Sequence, residues 1–182
     1  MKVSARCLHR FHVGFVCLLA SGLAWAQTGS LNARPEDVAS PSAVVRASYT
    51  AISSPPGHPL NLDRFRSLFL PQAQLVSVSV KDGQVATHAM TLQEFTDMLM
   101  TRIGKDGHVE REIAQRVEVY GDIANVWSSY ESRKTLDDAS VVRGINSIQL
   151  VNDGKRWWIS GAQWQHETAE IPIPSKYLTG AK

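Results

Sequence analysis

Four consecutive β-strand patterns in the C-terminal half of this 182-residue chain constrain its fold more than any other feature. Apolar and polar residues alternate in each pattern, and turns of a few residues separate them. The patterns span residues 109–119, 123–133, 141–151 and 156–165. Because parallel neighbours would need long crossover connections, we expect an antiparallel meander. Such a sheet must bury one face, so the rest of the chain has to supply a cover for it.

Amphipathic helix patterns in the N-terminal half provide that cover. The first helix is predicted from Glu36 to Ser53, where apolar residues recur at near-helical spacing. Asn61 is placed to cap a second helix that runs through Leu70. We therefore predict the α+β class, with the helices packed on one face of an antiparallel sheet.

A β-hairpin and a third helix lie between the second helix and the four strands. The turn Lys81-Asp-Gly-Gln84 contains the Asp-Gly pair typical of a tight hairpin. The stretch Thr91-Leu-Gln-Glu94 has the capping-box pattern, in which the two end side chains bind each other's backbone N–H groups at a helix start. The apolar stripe that follows predicts a helix ending near Gly104.

The N-terminus has the three-part pattern of a secretory signal peptide. Three basic residues in the first ten precede an apolar run that is too short to span a membrane. Ala24-Trp-Ala26 then supplies the small residues that signal peptidase requires. We predict cleavage between Ala26 and Gln27, a flexible leader over residues 27–35, and a periplasmic or secreted protein without a membrane anchor.

Removal of residues 1–26 would change the chemistry available to the chain. Both cysteines, Cys7 and Cys17, would leave with the signal peptide, so disulfides and thiolate chemistry are not expected. The remaining 16 basic and 17 acidic residues nearly balance, which gives no reason to expect nucleic acid or an anionic membrane as a partner. Residues 36–178 are long enough to form one domain around a single core.

Two glycine-containing strand motifs carry a resemblance to a known superfamily. They are Tyr120-Gly-Asp-Ile-Ala-Asn-Val-Trp-Ser-Ser-Tyr130 and Asp153-Gly-Lys-Arg-Trp-Trp-Ile159. With the order of elements, they make residues 36–178 resemble the nuclear transport factor 2-like, or SnoaL-like, superfamily. The resemblance implies a cone-like, strongly curved sheet in a cystatin-like α+β roll. Arg143–Leu150 and Ile171-Pro-Ile-Pro174 are similar to segments of small secreted bacterial proteins of unknown activity in that superfamily.

Strand alternation sorts the side chains into a helix-covered face and an opposite face. The more apolar set is assigned to the covered face, and on the first of the four strands this set is Val109, Ile113 and Val117. The polar and aromatic residues expected to line a small-molecule pocket in the cone are Tyr49, His88, Ser128, Tyr130, Asn146 and Trp157. The alternative is an ordinary core, in which buried tyrosine and asparagine simply find hydrogen-bond partners.

The opposite face carries aromatic side chains that favour contact with another surface. Its candidate interface residues are Trp127, Arg143, Gln149, Trp158 and Trp164. The superfamily resemblance implies dimerisation through the same side of the sheet, so a homodimer is expected. The alternative is a monomer in which Ile171-Pro-Ile-Pro174 and Tyr177 fold back over the tryptophans.

Few patterns in the sequence carry recognisable chemistry. The four histidines outside the signal peptide lie at least 20 residues apart, so no metal or other cofactor is expected. A serine-hydrolase elbow and a glycine-rich phosphate loop are both absent from the sequence. Glu110, Glu112 and Glu118 share one side of a strand and could share a proton, but nearby arginines favour ion pairs on a solvated face.

Enzymes with the resembling fold place an aspartate or histidine base inside the cone. No aspartate of this sequence is assigned there, because they all lie in predicted turns or helices. By analogy of fold alone, the acid/base set would be Tyr49 or His88 with Tyr130 and Asn146. Catalytic residues therefore stay unknown at this stage.

Three functions remain open from the sequence. The leading one is a non-catalytic periplasmic binding or accessory protein that holds a small apolar or amphipathic ligand in the cone. The second is a protein-interaction module that uses the tryptophan-bearing face of the sheet. The third is a small isomerase, dehydratase or cyclase, which requires a titratable group with a shifted pKa inside the cone.

Overall fold

Three helices and six β-strands make up the computed structural model, which describes residues 33–103 and 107–179. The helices are α1 (Pro41–Ile52), α2 (Leu62–Arg66) and α3 (Leu92–Ile103), with short 3-10 helices at Pro35–Asp37 and Ser175–Tyr177. The strands are β1 (Phe69–Lys81), β2 (Gln84–Thr91), β3 (Val109–Tyr120), β4 (Ile123–Arg133), β5 (Val142–Asn152) and β6 (Trp157–His166). The predicted signal peptide, with both cysteines, lies outside the described residues. Within those ranges, every helix is too short or too polar to cross a membrane.

The six strands form one mixed sheet in the order β2-β1-β6-β5-β4-β3. The predicted hairpin and the four-strand antiparallel meander are both present. The α+β class is therefore confirmed. The sheet is not purely antiparallel, however, because β1 pairs with β6 in parallel. The long chain between these two strands supplies the crossover that a parallel pair requires.

The ends of the first two helices differ from the prediction. Ser40 caps α1 by accepting a hydrogen bond from the Ala43 N–H at 3.2 Å, so the helix begins after the short Pro35–Asp37 turn and not at Glu36. Helix α2 ends at Arg66, because the buried apolar residues after it begin strand β1 and do not continue the helix.

The capping box at the start of α3 is confirmed. The Thr91 backbone N–H donates to Glu94 Oε2 at 2.7 Å, and the Glu94 N–H donates to Thr91 Oγ1 at 3.2 Å. The helix then packs Phe95 and Leu99 into the core. On the other side of the core, α1 contributes Val44 and Val45, both fully buried.

A β-bulge in β3 decides which side chains of that strand face the helices. Glu112 lies opposite Tyr130, but Ala114 lies opposite Ser129, so Ile113 is an extra residue. The bulge reverses the alternation, and Glu112 joins the buried Tyr130 on the helix-covered face.

The predicted faces of β3 are accordingly wrong in its first half. Val109 lies opposite Arg133 on the outer face of the sheet, and Ile113 is the bulge residue without a direct cross-strand partner. Val117, opposite the fully buried Val126, is on the covered face as predicted. The prediction rests on regular alternation along the whole strand, and the inserted Ile113 breaks that alternation.

A second bulge, in β6, separates two of the tryptophans. Ile159 lies opposite Leu150, and Gly161 lies opposite Gln149, so Ser160 is the extra residue. Trp158 therefore faces outward. Trp164, which was predicted to do the same, is on the covered face, where its ring meets that of Phe95 at a centroid distance of 5.6 Å.

Candidate functional site

Polar side chains from α1, β3, β4 and β5 meet on the helix-covered face, and we call them the interior polar cluster. Its members are Tyr49, Glu112, Gln115, Ser128 and Asn146. Three of these residues, Tyr49, Ser128 and Asn146, were predicted to lie together. The cross-strand pairs Glu112–Tyr130, Gln115–Ser128 and Ser128–Asn146 place the strand members side by side.

The hydrogen bonds of the interior polar cluster form a chain with one direction. Asn146 Nδ2 donates to Tyr49 Oη at 2.8 Å. The Ser128 hydroxyl donates to Glu112 Oε1 at 2.5 Å, and its oxygen lies 2.8 Å from Tyr49 Oη. Because a serine hydroxyl has a single proton, Tyr49 must donate to Ser128 in this arrangement. All three donors therefore point towards the Glu112 carboxyl group.

Burial raises the pKa values of the titratable groups in this chain of hydrogen bonds. Desolvation raises the pKa of the Glu112 carboxyl group, while the hydrogen bond from Ser128 and the charge of Arg46 act in the opposite direction. Desolvation and the charge of Glu110 also raise the pKa of Tyr49, which keeps its phenol neutral. The cluster thus combines a neutral hydroxyl chain with a carboxyl group that binds its proton more tightly than usual.

Gln115 leaves one polar atom of the cluster without a partner. Its Nε2 donates to Glu112 Oε2 at 2.9 Å, but its Oε1 is buried and has no hydrogen bond from any described residue. A buried carbonyl without a donor is costly, of the order of 1–3 kcal/mol. The atom is thus a ready acceptor for a hydrogen-bond donor from outside the cluster.

A second polar pair lies next to the interior polar cluster. The buried Tyr130 hydroxyl is 2.9 Å from Nδ1 of the exposed His166. Burial raises the pKa of Tyr130, and the charge of Glu110 adds to the effect. Gly144 makes room for this tyrosine, since a Cβ there would lie 2.5 Å from Tyr130 Oη.

Two predicted pocket residues lie away from the cluster. His88 is exposed on β2, and strands β1, β6 and β5 separate it from β4. Trp157 is buried opposite Asn152 at the far end of β5, roughly 20 Å along the strand from Asn146. Neither residue shares the hydrogen bonds of the interior polar cluster.

The predicted interface residues do not form a continuous stripe. Trp127 packs against Tyr177 at a centroid distance of 5.3 Å, so the C-terminal tail folds back over it. Trp158 donates to Asp153 at 2.9 Å and lies under the Arg156 guanidinium. It lies opposite Val151, whereas Trp127 lies opposite Ser147, four residues away along β5.

The two polar members of the predicted interface are engaged within the chain. Arg143 pairs with Glu167 at 3.4 Å. Gln149 Nε2 donates to Ser147 at 3.1 Å and to Asn125 at 3.3 Å. Elsewhere in the described ranges, no three histidine, cysteine, aspartate or glutamate side chains converge as a metal site would need.

Solved structures share this arrangement of helices and strands. A nuclear transport factor 2-like protein of unknown function from Methylobacillus flagellatus is 12% identical, with a TM-score of 0.47 over 70% of this chain and 89% of its own. The chain has the nuclear transport factor 2-like fold. A candidate calcium/calmodulin-dependent protein kinase II association domain from Xanthomonas campestris is 15% identical, with a TM-score of 0.50 over 70% of this chain and 86% of its own.

A candidate ketosteroid isomerase from Parabacteroides distasonis is also similar to this chain. It is 14% identical and has a TM-score of 0.47 over 71% of this chain and 89% of its own. No protein-family model and no curated protein matches the sequence. At these identities, the likeness to solved structures concerns the fold alone.

Three residues of the site were missed by sequence reasoning. Glu112 was not placed in the cone, because the bulge at Ile113 is not visible in the residue pattern. Gln115 shares the covered face with Val117, as alternation predicts, but it was not singled out as a site residue. His166 was assigned to the surface, and it is exposed, but its ring also reaches the Tyr130 hydroxyl. The only advance signal for Glu112 was its spacing from Glu110, which predicts two carboxylates on one side of a strand.

Proposed function

We propose that the chain is a small-molecule binding protein and that its site is the interior polar cluster on the helix-covered face. The observation that carries the proposal is the donor chain that ends at Glu112, beside the unpartnered Oε1 of Gln115. A ligand with a hydrogen-bond donor would satisfy that oxygen, and the core residues beside the cluster, such as Val126 and Ile148, would give its body apolar neighbours once they move apart to admit it. The ligand class is therefore a small amphipathic molecule.

Native mass spectrometry of protein purified from the periplasm tests this proposal. Wild type is expected to retain a small molecule as extra mass. Glu112→Gln is expected to lose it, because the substitution keeps the shape of the side chain but removes the carboxylate acceptor at the end of the donor chain. Glu118→Gln makes the same chemical change at an exposed position of the same strand and is expected to retain the ligand. Equal retention in all three proteins would contradict the assignment of the site.

Proton transfer at the same site is the second candidate function. The observation that favours it is the raised pKa of Glu112, since a general acid or base needs a pKa near the working pH. Carboxyl-carbon NMR of labelled protein is expected to show Glu112 titrating above its ordinary value of 4.5. An unshifted carboxyl group would remove this candidate and leave ligand binding untouched.

We also propose that the chain is exported and loses residues 1–26. N-terminal sequencing of the periplasmic protein is expected to begin at Gln27, and a start at Met1 would contradict export by cleavage. The homodimer stays a prediction, and the same mass spectra count the subunits. A dimer through the outer face would form beside the tail, which already covers Trp127.

A further inference from the structure

A groove of about 380 Å³ lies on the outer face of the sheet, away from the interior polar cluster. Most of its floor is formed by outward-facing residues of β1, β4, β5 and β6, and one wall is formed by the C-terminal tail, residues 171–174. Trp164 and His166 also line the groove. The residues that matter for its chemistry are Trp127, Ile145, Gln163, Gln165, Ile171 and Ile173. The groove therefore lies between the sheet and the segment that follows the last strand.

Specific contacts hold the tail that forms this wall. The Ser129 hydroxyl donates to the Tyr177 carbonyl at 2.6 Å, and the Ile173 N–H donates to Glu167 Oε1 at 2.8 Å. Ile173 is buried, and the Tyr177 ring packs on Trp127. Because the wall is fixed at both ends, the groove is a formed cleft and not a flat surface.

The lining combines apolar surface with uncharged hydrogen-bonding groups. Trp127, Ile145 and Ile173 supply aromatic and aliphatic surface, and the amides of Gln163 and Gln165 supply donors and acceptors.

The two titratable side chains at this groove already have partners. Glu167 is bound to Arg143 and to a backbone N–H, and Nδ1 of His166 is bound to Tyr130. The Glu167 carboxylate is neutralised by Arg143, so the lining has no unpaired carboxylate and matches an uncharged molecule.

We propose that this groove is a second ligand site, which binds a neutral, ring-containing small molecule against Trp127 with its polar edge at Gln163 and Gln165. Its volume falls in the range of small-molecule sites, about 300–1,000 Å³. A protein partner would need about 800 Å² of surface on each side, and the tail stands between such a partner and Trp127. The site is separate from the proposed function, because it lies on the other face of the sheet.

Fluorescence titration with N-phenyl-1-naphthylamine, a neutral probe with two aromatic groups, tests the second site. Wild-type protein is expected to give a saturable increase in probe fluorescence. Gln163→Arg is expected to weaken binding at least about tenfold, because it places a charged side chain in the groove. Gln163 is exposed, so this variant removes no core contact. Trp127→Ala is expected to weaken binding by a similar factor through loss of the aromatic floor.

Two matched variants show whether the probe binds in this groove or elsewhere on the protein. Trp158→Ala removes another outward-facing indole, and Glu112→Gln alters the interior polar cluster, and both are expected to bind the probe as wild type does. Loss of binding in Glu112→Gln would place the probe on the covered face and overturn the inference. Absence of saturable binding to wild type, or undiminished binding to Gln163→Arg, would also overturn it. So would sedimentation data showing that a second copy of the chain covers the groove and excludes the probe.

Discussion

Two adjacent serines of β4 show how differently the two faces of the sheet are buried. Ser128 and Ser129 are almost completely inaccessible to solvent. Ser128 points to the helix-covered face and donates to the Glu112 carboxyl group, whereas Ser129 points outward and donates to the Tyr177 carbonyl. The first is covered by α1 and the core, and the second by the C-terminal tail.

Because of this difference, the burial of a residue does not by itself predict how much its substitution lowers the free energy of unfolding. Side chains on the covered face are packed among many neighbours that cannot move independently. Side chains on the outer face are covered by a few residues beyond the last strand, which can detach without unfolding the sheet. Equal burial at Ser128 and Ser129 therefore predicts unequal consequences.

The largest expected effect is at the glycine beneath Tyr130. Gly144→Ala places a Cβ 2.5 Å from both Tyr130 Oη and the Gln165 carbonyl oxygen, so the tyrosine and the neighbouring strand must shift. We expect a loss of about 3 kcal/mol in the free energy of unfolding, measured by urea denaturation. Gly161→Ala is the matched change near the β6 bulge, where the nearest atom is 3.4 Å away, and it should cost less than about 1 kcal/mol. Equal losses would refute the steric argument.

A smaller difference is expected between the two serines. Ser128→Ala leaves Glu112 and Tyr49 without their shared partner, and we expect it to cost about 2 kcal/mol. Ser129→Ala removes one hydrogen bond to the tail and should cost about 1 kcal/mol or less. Limited proteolysis should cut the tail faster in Ser129→Ala only. If both variants release the tail, the two faces are not independent.

The smallest effect is a pH dependence that comes from Glu112. Burial raises the pKa of this carboxyl group in the folded state, so the folded protein binds the proton more tightly than the unfolded chain. Its contribution is present below the unfolded value of 4.5 and is lost as the pH rises through the folded value. The stability of wild type relative to Glu112→Gln should therefore fall as the pH rises from 4.5 through the higher folded-state pKa. Glu118→Gln controls for removal of one charge, and an opposite slope would show that Glu112 is not desolvated.

The order of elements could be predicted from the sequence because it depends on local signals. The Asp-Gly hairpin turn, the Thr91–Glu94 capping box and the short turns between the last strands each act over a few residues. Tyr49, Ser128 and Asn146 were placed together because no irregularity interrupts β4 or β5 between them. The alternation of side chains therefore predicts which face of the sheet a residue occupies wherever the strand has no bulge.

The two bulges explain most of what could not be predicted. Ile113 moves Glu112 into the site, and Ser160 moves Trp164 to the opposite face from Trp158. Gly161 offered a signal for the second bulge, since an isolated glycine in a strand often marks one. Ile113 offers no such signal, because its role depends on how β3 pairs with β4 in three dimensions.

The parallel pairing of β1 with β6 has a consequence for how the chain folds. The hairpin β1–β2 and the meander β3–β6 each close over a short distance along the sequence. Phe69 and Ile159 are partners, so the two units can be joined only after a loop of about 90 residues has closed. The rate of folding is therefore expected to be set by this contact between distant segments, with the pairing of β1 and β6 completing the sheet last.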